Sequence, residues 1–192
     1  NGRSPQAGLA FGKDGNLYGT TAGFSRAGPD PGTVFRVTTN GELTTLVSFA
    51  WTNGLNPQAG LALGTDGNFY GTTAYGGSDD LGTVFKVTPN GLLTSLVTFI
   101  DGTNGAFPQG VLALGSDGNF YGTTSHGGSG VNEDSGTVFK VTTNGVLTML
   151  VSFIGANGAS PQDGLVLGTD GNFYGTTSYG GSKGWGTVFK VT

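Results

Sequence analysis

The sequence predicts an all-β fold, a β-propeller of four-stranded antiparallel blades, and three observations predict it. A phrase of the form G-x-D-G-N-F/L-Y-G-T-T occurs four times, each followed by G-T-V-F-K/R-V-T. Gln6, Gln58, Gln109 and Gln162, at one place in each copy, are spaced by 52, 51 and 53 residues. A fixed period of about 50 residues means one supersecondary unit copied in tandem. Finally, the apolar residues fall in short Phe, Tyr, Val and Leu clusters bounded by Asp-Gly-Asn and Asn-Gly turns, which is strand and hairpin chemistry. A β-solenoid is the alternative, but solenoid coils are shorter and lack this pair of hairpin turns.

The second unit shows each element. Gly60 to Gly64 forms strand A, with a tight turn over Thr65 to Asn68. Phe69 to Tyr75 is strand B, rich in aromatic and β-branched residues, and a loop of varying length leads to strand C, Thr83 to Thr88. Pro89-Asn90-Gly91 turns the chain into strand D, Leu93 to Phe99. Alternation puts Phe85 and Val87 on one face of strand C and Val84 on the other. In strand D it puts Leu93, Ser95, Val97 and Phe99 on one face, with Leu96 opposite. Neither face is polar throughout, so both are expected to be covered by neighbouring blades. Ala62, Gly64 and Gly71 are expected at the crowded axis.

The organisation reads as one repeat domain over residues 1–192, with units at about 4–55, 56–106, 107–159 and 160–192. Strands A to C recur four times and strand D three times, so the last unit lacks its outer strand. The chain opens Asn1-Gly2-Arg3, as an excerpt or processed product would.

The 39 glycines and 7 prolines recur at fixed places, so they mark turns and close packing. Eight Lys and Arg against a net charge of −4 argue against nucleic acid or an anionic membrane as partner. Cysteine is absent, which removes disulfides, thiolate metal sites and thiol catalysis. No apolar run approaches a membrane span, so no insertion is expected. The Thr, Ser, Asn and Gly excess points to the exterior of a bacterium.

At this point the residues are similar to a known family. The stretch G-T-V-F-K-V-T-x-x-G-x-L-T-x-L-x-x-F runs from Gly32 to Phe49, Gly82 to Phe99 and Gly136 to Phe153, and in shorter form from Gly186 to Thr192. It resembles the Gloeo_Verruco (GloVer) tandem repeat, and the resemblance covers essentially the whole chain. It implies a propeller-like fold and an exported or surface-anchored bacterial protein. It transfers no catalytic residue.

Candidate chemistry is sparse. The lone aspartates of the Asp-Gly-Asn triplets (Asp14, Asp66, Asp117, Asp170) are expected to cap hairpins, because a calcium loop needs several converging oxygens. The glutamine ring could face a polar ligand at the axis, but is expected to bond the backbone of the adjacent blade. His126 is the only histidine, too few for a metal site and without a triad pattern. The Thr-Thr pairs read as strand formers, and no paired carboxylates recur to serve glycoside hydrolysis. No metal and no cofactor are expected.

Variation concentrates in the B–C and D–A loops, on one face of the disc, and variable loops on a rigid scaffold are where binding resides. The B–C loops read Phe24 to Pro31, Ser78 to Leu81, Ser129 to Ser135 and Ser182 to Trp185, and the D–A loops carry Trp51 and Asp101. The expected ligand-binding residues are Trp51, Tyr75, Asp79, Asp80, His126, Glu133, Asp134, Tyr179 and Trp185. The function expected from these readings is a non-catalytic binding or structural module acting through that face. The alternative is a lectin-like propeller that stacks sugars on Trp51, Trp185, Tyr75 and Tyr179. An enzyme would need charge clustered near the axis. The expected partners are a protein, or a second copy joined through the open edge of the last blade, with glycans as further candidates.

Overall fold

In the computed structural model, which describes residues 2–23, 30–100, 103–128 and 135–192, each unit is one antiparallel sheet in meander order. The first contains β1 (Ala10–Phe11), β2 (Leu17–Thr21), β3 (Thr33–Val37) and β4 (Leu43–Ser48). The second contains β5 (Ala62–Leu63), β6 (Phe69–Thr73), β7 (Thr83–Val87) and β8 (Leu93–Thr98). The third contains β9 (Ala113–Leu114), β10 (Phe120–Thr124), β11 (Thr137–Val141) and β12 (Leu147–Ser152). The fourth has three strands, β13 (Val166–Leu167), β14 (Phe173–Thr177) and β15 (Thr187–Val191). No helix occurs among the described residues. The fold is a propeller with the two-residue strands innermost, and successive inner strands lie side by side.

The core sits between blades, not within them. One face of the first blade, carrying Tyr18, Val34, Val47 and Phe49, packs on Leu61, Phe69, Phe85 and Val87 of the second. The pattern then repeats: Tyr70, Val84, Val97 and Phe99 meet Leu112, Phe120, Phe139 and Val141. At the third junction Val138 and Phe153 meet Leu165, Phe173 and Val191. Ring pairs recur with the interface. Tyr70 stacks on Phe120 at 4.1 Å between centroids, and Phe99 meets Phe139 edge-on at 5.4 Å. Each blade therefore has a trailing face that covers the leading face of the next.

Two sequence expectations are corrected here. Leu93 does not share a face with Val97 and Phe99. It packs toward the first blade, and they pack toward the third. The cause is a β-bulge: Val84 pairs with Val97 but Phe85 pairs with Ser95, leaving Leu96 as the extra residue. Past the bulge the alternation is inverted, and Leu96 joins the same cluster as Val97. The same shift occurs in the first and third blades. Gly71, in turn, answers to a ring and not to crowding at the axis. It lies across from Phe85, whose Cζ is 2.6 Å from where a Cβ would stand. Close approach at the axis belongs instead to Gly60 beside Gly8, and to Gly110 beside Asp163 and Gly164.

Candidate functional site

The chain enters each inner strand through a residue held in the left-handed region just before a proline: Ser4, Asn56, Phe107 and Ser160, with φ of 56°, 58°, 56° and 52°. Few non-glycine residues adopt that conformation, so surrounding bonds must hold it. They do. The N–H groups of Asn56, Phe107 and Ser160 donate to the carbonyls of Pro31, Leu81 and Ser135 in the preceding unit. Their own carbonyls accept from Ala74, Ser125 and Ser178. The hydroxyls of Thr20, Thr72 and Thr123, buried on strand B, then donate to the carbonyls of Ala59, Gly110 and Asp163 in the following unit. The second, third and fourth inner segments are thus each pinned by the blade before them.

These pinned segments surround a cavity of about 380 Å³ to which all four units contribute. Gln58, Gln109 and Asp163 line it, with Leu9, Leu61 and Val111 as its apolar part. Three units place Ala7, Ala59 or Gly110 after the glutamine, and the fourth places Asp163, so the mouth carries one carboxylate on one side. Asp163 Oδ1 accepts the Gly164 N–H at 2.7 Å, which fixes the side chain beside the inner strand. For Gln109 and Gln162 the expected bonding to the backbone of an adjacent blade is corrected. Gln162 Nε2 donates to Ser160 Oγ at 2.7 Å, and Gln109 Nε2 to Ser125 Oγ at 3.4 Å, both within their own unit. The two carboxamides and the carboxylate can together donate to and accept from a ligand rich in hydroxyl groups.

Those of the loop residues expected to bind that are described lie elsewhere, and none of them lines the axial cavity. Trp51 is half-exposed and its carbonyl accepts the Gly77 N–H at 2.8 Å. Asp80 Oδ1 accepts the Gly76 N–H at 2.8 Å, closing the loop that Asp79 shares. Tyr75 packs edge-on against Phe107 and Phe107 against His126, so these three rings form a row across two units. His126 Nδ1 lies 2.9 Å from Ser125 Oγ. That contact is no hydrolytic pair, because Ser125 is buried and its hydroxyl donates to the Phe107 carbonyl. Tyr179 and Trp185 are exposed on the fourth unit. Glu133 and Asp134, with Asp101 and Phe24 to Pro29, fall outside the described residues. Asp163 was missed because it recurs nowhere; setting the four residues after the glutamines side by side was the signal that could have found it.

The Asp-Gly-Asn aspartates are turn caps. Asp66 Oδ1 accepts the Asn68 N–H at 3.1 Å, while Oδ2 accepts from Asn68 Nδ2 at 2.7 Å and from the Tyr70 hydroxyl at 2.8 Å. Asp14, Asp117 and Asp170 repeat the set. Hydrogen bonds from Asn172 and Tyr174 hold the Asp170 carboxyl at about 2. Burial, then the bond to Asp14, pushes the Tyr18 hydroxyl up to about 12. A carboxyl held below its unfolded value of 3.8 adds stability above that value, lost as pH falls through the folded one. A phenol held above 10 adds stability below pH 10, lost as pH rises through the folded value. Urea midpoints are therefore expected to be level between these limits, falling from about pH 4 toward 2 and from about pH 10 toward 12. Tyr70→Phe should flatten part of the alkaline arm, and an unchanged arm would show that the phenols do not cause it.

The sequence pattern of the Gloeobacter/Verrucomicrobia repeat matches residues 1–189. No curated protein matches the chain in sequence. Among solved structures, a gluconolactonase from Xanthomonas campestris is 18% identical with a TM-score of 0.59, over 94% of this chain and 60% of that one. A protein described as a 6-phosphogluconolactonase from Bacteroides uniformis is 16% identical with a TM-score of 0.57, over 98% of this chain and 56% of that one. The extracellular domain of a one-component system from B. thetaiotaomicron is 14% identical with a TM-score of 0.61, over 95% and 21%. The chain thus spans about 60% of the Xanthomonas gluconolactonase, and at these identities the likeness shows the fold alone. The expectation of a non-catalytic binding module, with its lectin-like alternative, is nevertheless corrected. Structures of this fold include proteins described as gluconolactonase and 6-phosphogluconolactonase, so the fold is not one confined to non-catalytic binding modules. The family match does not itself establish catalysis.

Proposed function

We propose, on the premise that the chain belongs to the Gloeobacter/Verrucomicrobia repeat family, that it is the four-unit part of a propeller hydrolysing a sugar-acid lactone at its axial mouth. The observation that carries this is the cavity shared by all four units, lined by one carboxylate, Asp163, together with Gln58 and Gln109. The names of the lactonase neighbours supply the substrate class.

The chemistry asked of the site is modest. A lactone is an ester closed into a ring. The Asp163 carboxylate takes a proton from a water molecule as its oxygen attacks the carbonyl carbon. A carboxamide N–H of Gln58 or Gln109 donates to the carbonyl oxygen as negative charge develops there. The tetrahedral intermediate collapses with cleavage of the ring C–O bond. The proton passes from Asp163 to the departing ring oxygen, leaving a hydroxy acid. The remaining hydroxyls bond the carboxamides, and the sugar carbons rest on Leu61 and Val111. General base catalysis of this kind contributes on the order of 100- to 10,000-fold.

The test is hydrolysis of glucono-1,5-lactone followed by pH-stat, with gluconate binding measured by calorimetry. Asp163→Asn is expected to lower kcat by at least about 100-fold. Because the side chain is exposed, unfolding should stay unchanged. Gln58→Ala should lower kcat, as loss of a donor to the developing oxyanion does, and raise KM through the lost hydroxyl contacts. Absence of saturable gluconate binding, or an Asp163→Asn variant as active as the parent, would overturn the proposal.

A further inference from the structure

An Asp-Gly pair can rearrange without an enzyme, because glycine has no side chain to keep its nitrogen from the neighbouring carboxyl carbon. The chain has six such pairs, of which Asp101-Gly102 lies outside the described residues. Four of the others are the A–B turns. There the N–H groups of Gly15, Gly67, Gly118 and Gly171 point away from their aspartates, to the carbonyls of Gly12, Gly64, Gly115 and Gly168 at 3.0 to 3.1 Å. Each carboxylate is engaged instead by the asparagine two residues on and the tyrosine four residues on. Those bonds favour the ionised form, and they hold the Asp170 carboxyl at about 2.

Asp163-Gly164 is built differently. Leu165 and Leu167 stand where the turns have asparagine and tyrosine, so this aspartate has no cap. Its Oδ1 accepts the Gly164 N–H itself at 2.7 Å, which folds the carboxyl back beside the nitrogen of the next residue. No backbone carbonyl among the described residues takes that N–H. Gly110 lies against the pair where the first two units have Ala7 and Ala59, and a Cβ there would stand 2.3 Å from the Gly164 nitrogen. The absent methyl leaves that nitrogen uncovered, and the Asp163 side chain is exposed to water.

We propose that Asp163-Gly164 is a site of spontaneous isomerisation, at which the chain converts its own axial aspartate to an isoaspartyl link through a cyclic imide. The Gly164 nitrogen bonds to Cγ of the neutral Asp163 carboxyl. The Cγ–OH bond breaks, and the hydroxyl leaves with the amide proton as water. A second water then opens the imide. Attack at Cγ restores aspartate. Attack at the former backbone carbonyl breaks its bond to the Gly164 nitrogen, so the main chain runs through Cβ and Cγ and a free carboxylate stays on Cα. Water is the only co-reactant. The product moves the carbonyl to which the Thr123 hydroxyl donates at 2.8 Å. It also lengthens the chain where Gly164 fits so closely that an added Cβ would stand 2.3 Å from the Val111 carbonyl oxygen. The junction of the third and fourth blades is loosened as a result. The proposal is independent of the lactonase reading.

The test is to age the whole folded chain, warm and at mildly acid pH, beside the same chain unfolded in urea. Peptide mapping reads the imide as the loss of one water. An endoproteinase that cuts before aspartate, but not before isoaspartate, reads the final product. In the folded chain, conversion at Asp163 is expected to be at least about tenfold faster than at Asp14, Asp66, Asp117 or Asp170, since holding reacting atoms in near-attack geometry commonly gains more than that. In urea the five sites should convert at similar rates. Asp163→Glu would need a six-membered ring, so it should show no conversion at this position, and its thermal midpoint should hold with age while that of the parent falls. A folded chain in which Asp163 converts no faster than the four capped aspartates would overturn the proposal. So would conversion at Asp163 that is slower in the folded chain than in urea, because the fold would then be shielding the pair.

Discussion

Phe85→Ala is expected to destabilise the chain by about 3–5 kcal/mol, the range for deleting a fully buried ring from a close-packed core. Phe85 is 0% exposed and meets the edge of Phe49 at 5.0 Å. It also fills the space left by Gly71 across the sheet, which leaves a cavity that no neighbour can easily close. The same truncation at Phe35 should cost about half as much or less, because its leading face has no blade upon it and the ring is only half-buried. Urea unfolding followed by tyrosine fluorescence measures both. Equal losses at the two positions would mean that the junctions, as opposed to the single sheets, are not where stability resides.

Gly136→Ala is expected to be nearly as damaging, by a different route. Gly136 has φ of +87°, and an added Cβ would stand 2.3 Å from the Thr124 carbonyl oxygen. Left-handed backbone costs an L-residue about 1–2 kcal/mol. The overlap is with backbone, which cannot swing aside, so the total should reach about 3 kcal/mol or more. Its Cβ would also crowd Pro161, which leads into the fourth inner strand, so the damage should spread to the axial cavity. Gly118→Ala is the control. Its φ is +76° but nothing lies within 4 Å of the new methyl, so only the conformational cost of about 1 kcal/mol applies. Similar losses in the two variants would show that close approach at Gly136 is unimportant.

Much of the fold was legible because the repeat averages over local noise. The division of Val84 from Phe85 and Val87 onto opposite faces followed from alternation alone, and the junction clusters match it. The face assignment of strand D failed because a bulge changes no residue type. Leu96 is an ordinary strand residue in composition, and only the pairing of Val84 with Val97 and of Phe85 with Ser95 reveals the extra position. The candidate site was less legible for a related reason. Period-based reading favours what recurs, so the glutamines stood out and Asp163 did not. The role of Gly71 was misassigned because a vacancy for a ring and a vacancy for a crossing backbone look alike in sequence.

The threonine-to-carbonyl links between successive blades have a genetic consequence. Thr20, Thr72 and Thr123 each reach forward to the same atom of the next unit, so every seam is made of interchangeable parts. Unequal recombination that deletes or duplicates one whole unit joins a familiar trailing face to a familiar leading face and strands no buried group. A frame-preserving insertion of a few residues inside strand B has no such protection, since it moves the threonine off its carbonyl and the tyrosine off its ring. Descendants of this gene should therefore vary in length by whole units, with indels shorter than a unit confined to the B–C and D–A loops.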